Sequence, residues 1–171
     1  NSQRPTSAPF YGNYSSQIGA VNASDYANID ITYSTGYTYS TIIWVDWDNS
    51  LTFDGDEVVY FGESYSSNPT TLNASFLVPG TQDTGYFRMR IAGSDSYYDN
   101  YIGSLASAAT ADPCPSSSYT IVHDYTLHIL PEPTCKKPNN VVASNVTNIS
   151  ADITWSTLDP TENNFVVAYG T

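Results

Sequence analysis

Tyr39-Ser40-Thr41-Ile42-Ile43-Trp44-Val45-Asp46-Trp47 is the stretch whose reading decides the fold. At its centre Ile42, Ile43, Trp44 and Val45 leave neither face polar. A strand of that kind belongs in the middle of a sheet covered on both sides. Outward from it, shorter segments alternate as half-buried strands should. Ile29-Asp30-Ile31-Thr32-Tyr33 lies before it, and Val58-Val59-Tyr60-Phe61 follows. Leu72, Ala74, Phe76 and Val78 alternate with polar residues up to the turn Pro79-Gly80. Phe87, Met89 and Ile91 alternate with Arg88 and Arg90, which puts two of the five basic residues on one sheet face. Tyr119 to Leu130 reads as a further long strand, and residues 1 to about 18 as a lead-in arm or edge strand. Residues 93 to 118 form a long polar connection with room for a short helix around Leu105 to Ala111.

Pro131, Pro133 and Pro138 then punctuate a linker, after which the pattern restarts. Val141-Val142, then Ala151, Ile153 and Trp155, then Phe165, Val167 and Tyr169 mark further short strands. The expected architecture is all-β: an antiparallel β-sandwich of jelly-roll or immunoglobulin-like type over residues 1–131, then a linker and an incomplete second sandwich over 132–171.

Composition agrees with this reading. A chain of 171 residues that is 40% hydrophobic can build a core, and 15 tyrosines with abundant Ser, Thr, Asn and Gly suit strands joined by turns. The balance of 5 basic against 17 acidic residues, formally −12, excludes nucleic acid as a partner. It disfavours anionic membrane surfaces and favours divalent cations. No run of 18 apolar residues marks a transmembrane span. Asn1 to Ala8 is not a signal peptide, so the expectation is a removed signal or a fragment of a longer protein. Cys114 and Cys135 read as one disulfide in a secreted chain and as two incidental thiols in a cytosolic one.

The charge is unevenly placed. Six of the 17 acids fall between Asp46 and Glu63, with no Lys or Arg among them. Charges that dense repel unless solvated or bridged by a cation. A twelve-residue calcium loop takes ligands at positions 1, 3, 5, 7, 9 and 12, and counting from Asp46 gives Asp46, Asp48, Ser50, Thr52 (through its carbonyl), Asp54 and Glu57. All are hard oxygen donors, as calcium requires. Position six, which wants Gly, holds Leu51. The competing reading is a solvated acidic hairpin loop. Asp95, Asp99 and Asn100 form a second oxygen cluster in the long connection, or simply a polar turn. Tyr97, Tyr98 and Tyr101 would make a stacking platform for sugars or a partner protein, or fold back over a sheet edge.

No catalytic constellation emerges. His123 and Asp124 are adjacent on a strand and so face opposite sides. His128 faces away from His123, and neither a Gly-x-Ser-x-Gly elbow nor a His-Glu-x-x-His helix is present.

Two resemblances sharpen these expectations. Trp44-Val45-Asp46-Trp47-Asp48 running to Phe53 and Glu57, together with Asp112-Pro113-Cys114 and Thr120-Ile121-Val122-His123-Asp124-Tyr125-Thr126-Leu127, resembles the GEVED domain of secreted bacterial proteins over residues about 10–131. Of the Gly-Glu-Val-Glu-Asp run that names the family, the chain keeps Val122 and Asp124. From Cys135-x-x-Pro138 through Ser150-Ala151-Asp152-Ile153-Thr154-Trp155 to Phe165-Val166-Val167-Ala168-Tyr169-Gly170, residues about 135–171 look like the start of a fibronectin type III domain, with Trp155 as its core tryptophan. The resemblance implies a secreted or cell-surface, non-catalytic accessory, spacer or adhesion module, joined to neighbouring domains of one polypeptide; the spacing of the acidic loop, not the resemblance, adds calcium as the ion expected to stiffen it. Three alternatives stay beside it: a carbohydrate-binding module, a subunit of a filament completed by a neighbouring chain, and a fragment of a larger secreted hydrolase.

Overall fold

The structure, a computed structural model, describes residues 10–33, 36–67, 69–96, 108–115, 119–132, 138–157 and 165–166. Nine strands account for most of them: β1 (Phe10–Asn22), β2 (Tyr26–Tyr33), β3 (Tyr39–Val45), β4 (Val58–Glu63), β5 (Thr70–Leu77), β6 (Gly85–Asp95), β7 (Thr120–Leu130), β8 (Asn139–Ser144) and β9 (Asp152–Ser156). The chain forms two compact units, Asn1–Pro131 and Glu132–Thr171.

The first unit is an all-β sandwich. A five-stranded sheet in the order β1-β7-β6-β3-β4 faces a two-stranded sheet of β2 and β5. The apolar run of β3 lies inside the larger sheet, between β6 and β4, and every residue from Ser40 to Val45 is buried. Its alternate side chains feed two separate cores. Ile43 and Val45 join Phe87, Met89, Leu127 and Ile129 and meet Ala27, Ala74 and Phe76 of the small sheet. Ile42 and Trp44 point the other way and pack with Ala92 and Val122 beneath Phe53 and Ala108. Both faces of β3 are thus dry, which is why its sequence does not alternate. Each such side chain contributes on the order of 1.5–3 kcal/mol when fully buried.

The pairings are antiparallel except one. β6 aligns Ile91 with Ile43 of β3 and Arg90 with Asp124 of β7. The amino-terminal segment is an edge strand, but β1 runs parallel to β7, with an irregularity between Asn13 and Ile18. A tight turn at Ser24, which takes a left-handed backbone (φ 65°), carries the chain from β1 across to β2. The long connection is shorter than its sequence suggests, because β6 continues to Asp95. Its described part returns at Ala108, whose carbonyl closes a turn by accepting from the Ala111 amide. The rest of the expected helix around Leu105 lies outside the described residues, as do Tyr97, Tyr98, Asp99, Asn100, Tyr101 and Cys135. Cys114 carries a free, exposed thiol. No helix among the described residues is long and apolar enough to cross a membrane.

In the second unit β8 and β9 pair antiparallel, with Ala143 opposite Ile153. Trp155 meets the Phe165 ring edge-on at 5.4 Å, while Val141, Val142, Val146 and Ile149 stay exposed.

His123 projects from β7 beside Tyr14, with ring centroids 4.9 Å apart. Burial lowers its pKa, against the opposing pull of Asp124. The folded state therefore holds a neutral imidazole that the unfolded chain would protonate near the ordinary histidine value of about 6.5. The stability this contributes is present above that pH and is lost as pH falls through the folded pKa. Between about pH 7 and pH 5.5 the melting midpoint should fall, and His123→Phe should flatten that slope, as read by calorimetry across the range.

Candidate cation site on the acidic loop

β3 ends at Val45, and the chain leaves the sheet through the loop before β4. Two main-chain bonds fix its start and finish. The Asp46 amide donates to the Arg88 carbonyl at 2.9 Å, and the Glu57 amide to the Asp54 carbonyl at 3.1 Å in a short 3-10 turn, Gly55–Glu57.

Three carboxylates then converge. Asp46, Asp48 and Glu57 each place one oxygen within 4.8 Å of the others'. Asp46 is 1% exposed. Its Oδ2 accepts the Leu51 amide at 3.1 Å, whereas Oδ1 is buried and has no hydrogen-bond partner. Glu57 is also buried and braces the loop from within. Its Oε1 takes the Trp47 amide at 2.7 Å and its Oε2 the Asp54 amide at 3.0 Å. Burial pushes the Glu57 carboxyl above the usual range, helped by the nearby charges of Asp46 and Asp48 and opposed by those two amides. Exposed Asp48 accepts the Ser50 amide at 2.9 Å, a bond that lowers its pKa. The structure thus brings together positions 1, 3 and 12 of the expected ligand set. Ser50 and Thr52 bond to each other through their hydroxyls at 2.8 Å. The Asp54 side chain is exposed and stands outside the carboxylate group.

Leu51, the mismatch at position six, adopts the backbone that glycine would supply. Its φ is 70°, and its side chain is 77% exposed. The turn that glycine would make without cost is therefore made with strain, roughly 1–2 kcal/mol for a residue with a Cβ. Asn49 is left-handed as well, at φ 56°, a conformation asparagine tolerates.

The local sequence holds no basic residue, but the fold supplies one. Arg88 reaches over from β6 and donates from Nη2 to the Leu51 carbonyl at 2.7 Å, with the same nitrogen 3.6 Å from Asp46 Oδ2. Its guanidinium lies 4.2 Å from the centre of the Phe53 ring, and that of Arg90 lies 4.8 Å from the same ring. Arg90 in turn forms a two-pronged ion pair with Asp124, at 2.6 Å from Nε and 2.7 Å from Nη2. Its Nη1 donates to the Pro113 carbonyl at 2.8 Å and contacts Cys114 Sγ at 3.2 Å. Burial alone would lower the Arg90 pKa, but the paired Asp124 carboxylate more than reverses this. Nothing in the local sequence assigns either arginine a role. The only signal was their alternation on one face of β6. Gly55 packs so closely on the Ala109 carbonyl that any Cβ would clash with it, so the loop and the 108–115 segment close over the sheet together.

A β-sandwich whose larger sheet is covered by a carboxylate-rich loop is the class of module these observations define. The sequence profile of the GEVED domain matches residues 40–128, more than half of the chain, and the chain belongs to that family. No curated protein matches the chain. Asp124, the last residue of the family's namesake run, is here the partner of Arg90.

Two outcomes follow from this geometry. Leu51→Gly should raise unfolding stability by about 0.5–1 kcal/mol in urea titration, because strain relief outweighs the added chain entropy. Asp124→Ala should cost about 3–5 kcal/mol, leaving Arg90 buried and unpaired, whereas the paired change Arg90→Met with Asp124→Leu should recover much of that loss.

Proposed function

We propose that residues 10–131 form a non-catalytic module of a secreted or cell-surface multidomain protein, and that its acidic loop binds a divalent cation of calcium type. The observation that carries this reading is Asp46 Oδ1: a carboxylate oxygen, fully buried, without a hydrogen-bond partner, beside two further carboxylates. Arg88 and the Leu51 amide serve only the other oxygen, Oδ2, and a buried carboxylate oxygen left without any donor is costly unless a cation completes it. The donor set is oxygen only, the chemistry of calcium rather than of zinc or copper. Asp46 and Glu57 would hold the ion from the buried side and Asp48 from the solvent side. The ion would cross-link the end of β3 to the start of β4 and hold Phe53 down on the sheet. Its role is structural, since nothing in the loop positions a nucleophile or a proton donor. The similarity of residues 135–171 to a fibronectin type III start supports a place within a string of extracellular domains.

Thermal melting with calcium and with EDTA tests the proposal. With a dissociation constant on the order of 10⁻⁴ to 10⁻³ M, about 10 mM calcium should stabilise the protein by roughly 1.4–2.7 kcal/mol, a rise of several degrees. Asp46→Asn should abolish the shift and the heat of binding in calorimetry. An unchanged midpoint together with no heat in the wild-type protein would overturn it.

A further inference from the structure

The geometry points to a second property of the same unit, independent of any ion: it is a tension-bearing link, with β1 and β7 as its mechanical clamp. The topology makes the case. Among the described residues of the unit β1 is the first strand and β7 the last, and the two are direct neighbours running parallel. β1 begins at Phe10, opposite Ile121, and ends at Asn22, opposite Leu130. The chain therefore enters at one end of this strand pair and leaves at the other. Tension applied through the flanking chain pulls β1 toward its start and β7 toward its finish, so the strands must slide past each other. Their hydrogen bonds run across the pulling direction and share the load. If both chain ends lay at one end of the pair, the same bonds would break one at a time. Nine aligned positions make up the clamp.

Side chains reinforce it along its whole length. Tyr11 donates to Asp124 Oδ2 at 2.9 Å near the start. Thr126 donates to the Ser15 carbonyl at 2.8 Å where the register shifts. The Asn22 amide group donates to the Pro131 carbonyl at 2.7 Å at the far end, next to the bond from the Ala23 amide to the Leu130 carbonyl at 3.0 Å. The first of these ties is anchored in turn, because Asp124 is held by the buried Arg90. A clamp that resists sliding would use all of them.

Single-molecule stretching of the full chain tests this, because forced opening reports the unfolding rate directly. Held by its two ends at constant force, the Phe10–Leu130 stretch should open in one step of roughly 40 nm, at about 3.6 Å per residue. Its lifetime should be at least tenfold longer than when the chain is held through Ser24→Cys and Pro131→Cys, in a Cys114→Ser, Cys135→Ser background. That second geometry peels the pair from one end. Tyr11→Phe and Thr126→Val should each shorten the end-loaded lifetime by roughly fivefold, while the peeling lifetime changes by less than about twofold. Equal lifetimes in the two geometries, or variants that shorten both alike, would overturn the inference. Calcium and EDTA arms separate it from the ion proposal: the difference between the two geometries should persist in EDTA.

Discussion

The ring of Phe53, lying against the guanidinium groups of both Arg88 and Arg90, is the contact on which the outer half of this sandwich depends. β3 is apolar on both faces, so the larger sheet needs a cover on the side away from β2 and β5. A small domain has few elements to spare for that task, and here a loop does it. Phe53 supplies the apolar surface over Ile42, Trp44, Ala92 and Val122, while the two arginines let an aromatic ring rest on an otherwise polar strip. Two of the loop's carboxylates also hold its backbone. Asp46 and Glu57 turn inward to accept backbone amides, and their charge accumulates where the chain must bend.

The Arg90–Asp124 pair adds position more than stability. A buried ion pair recovers little beyond its own desolvation cost. This one fixes four things at once: the register of β6 against β7, the Pro113 carbonyl, the Cys114 thiol and, through Tyr11, the edge strand β1. Asp124 thus ties three strands, β1, β6 and β7, at one point. His123 and Asp124, adjacent in sequence, project to opposite faces of β7, so this ion pair belongs to the outer face alone.

Most of the sandwich was legible in the sequence, because side-chain alternation is a local property. The dry strand β3, the alternating strands β2, β5 and β6 and the long β7 all announce themselves within windows of a few residues. The positions of Asp46, Asp48 and Glu57 could be read from spacing alone. The remainder was hidden because it depends on contacts far apart in the chain. Nothing local shows that β1 would pair parallel to β7, since Ser15, Ser16 and Gln17 lack the alternation that sets a register. Nothing near Asp46 foretells Arg88, which arrives from another strand. Leu51 looked like a defect because glycine is the residue that enters a left-handed turn without strain. The surrounding hydrogen bonds instead hold a leucine there.

The two sheets differ in width, five strands against two. Two strands cannot roof five, so part of the inner face has to be covered by side chains rather than by backbone. Val45, Met89, Phe87, Phe76 and Ile129 fill the end where the sheets meet fully. Toward the other end the inner face is finished by tyrosines. Tyr33 lies over Gly93 with its hydroxyl on Thr41, and Tyr60 folds over Gly62. A tyrosine offers a broad apolar ring with a tip that accepts water, which suits a surface half inside and half outside. The inner face therefore grades from an oily interior to a hydroxyl-lined rim where strands above it run short.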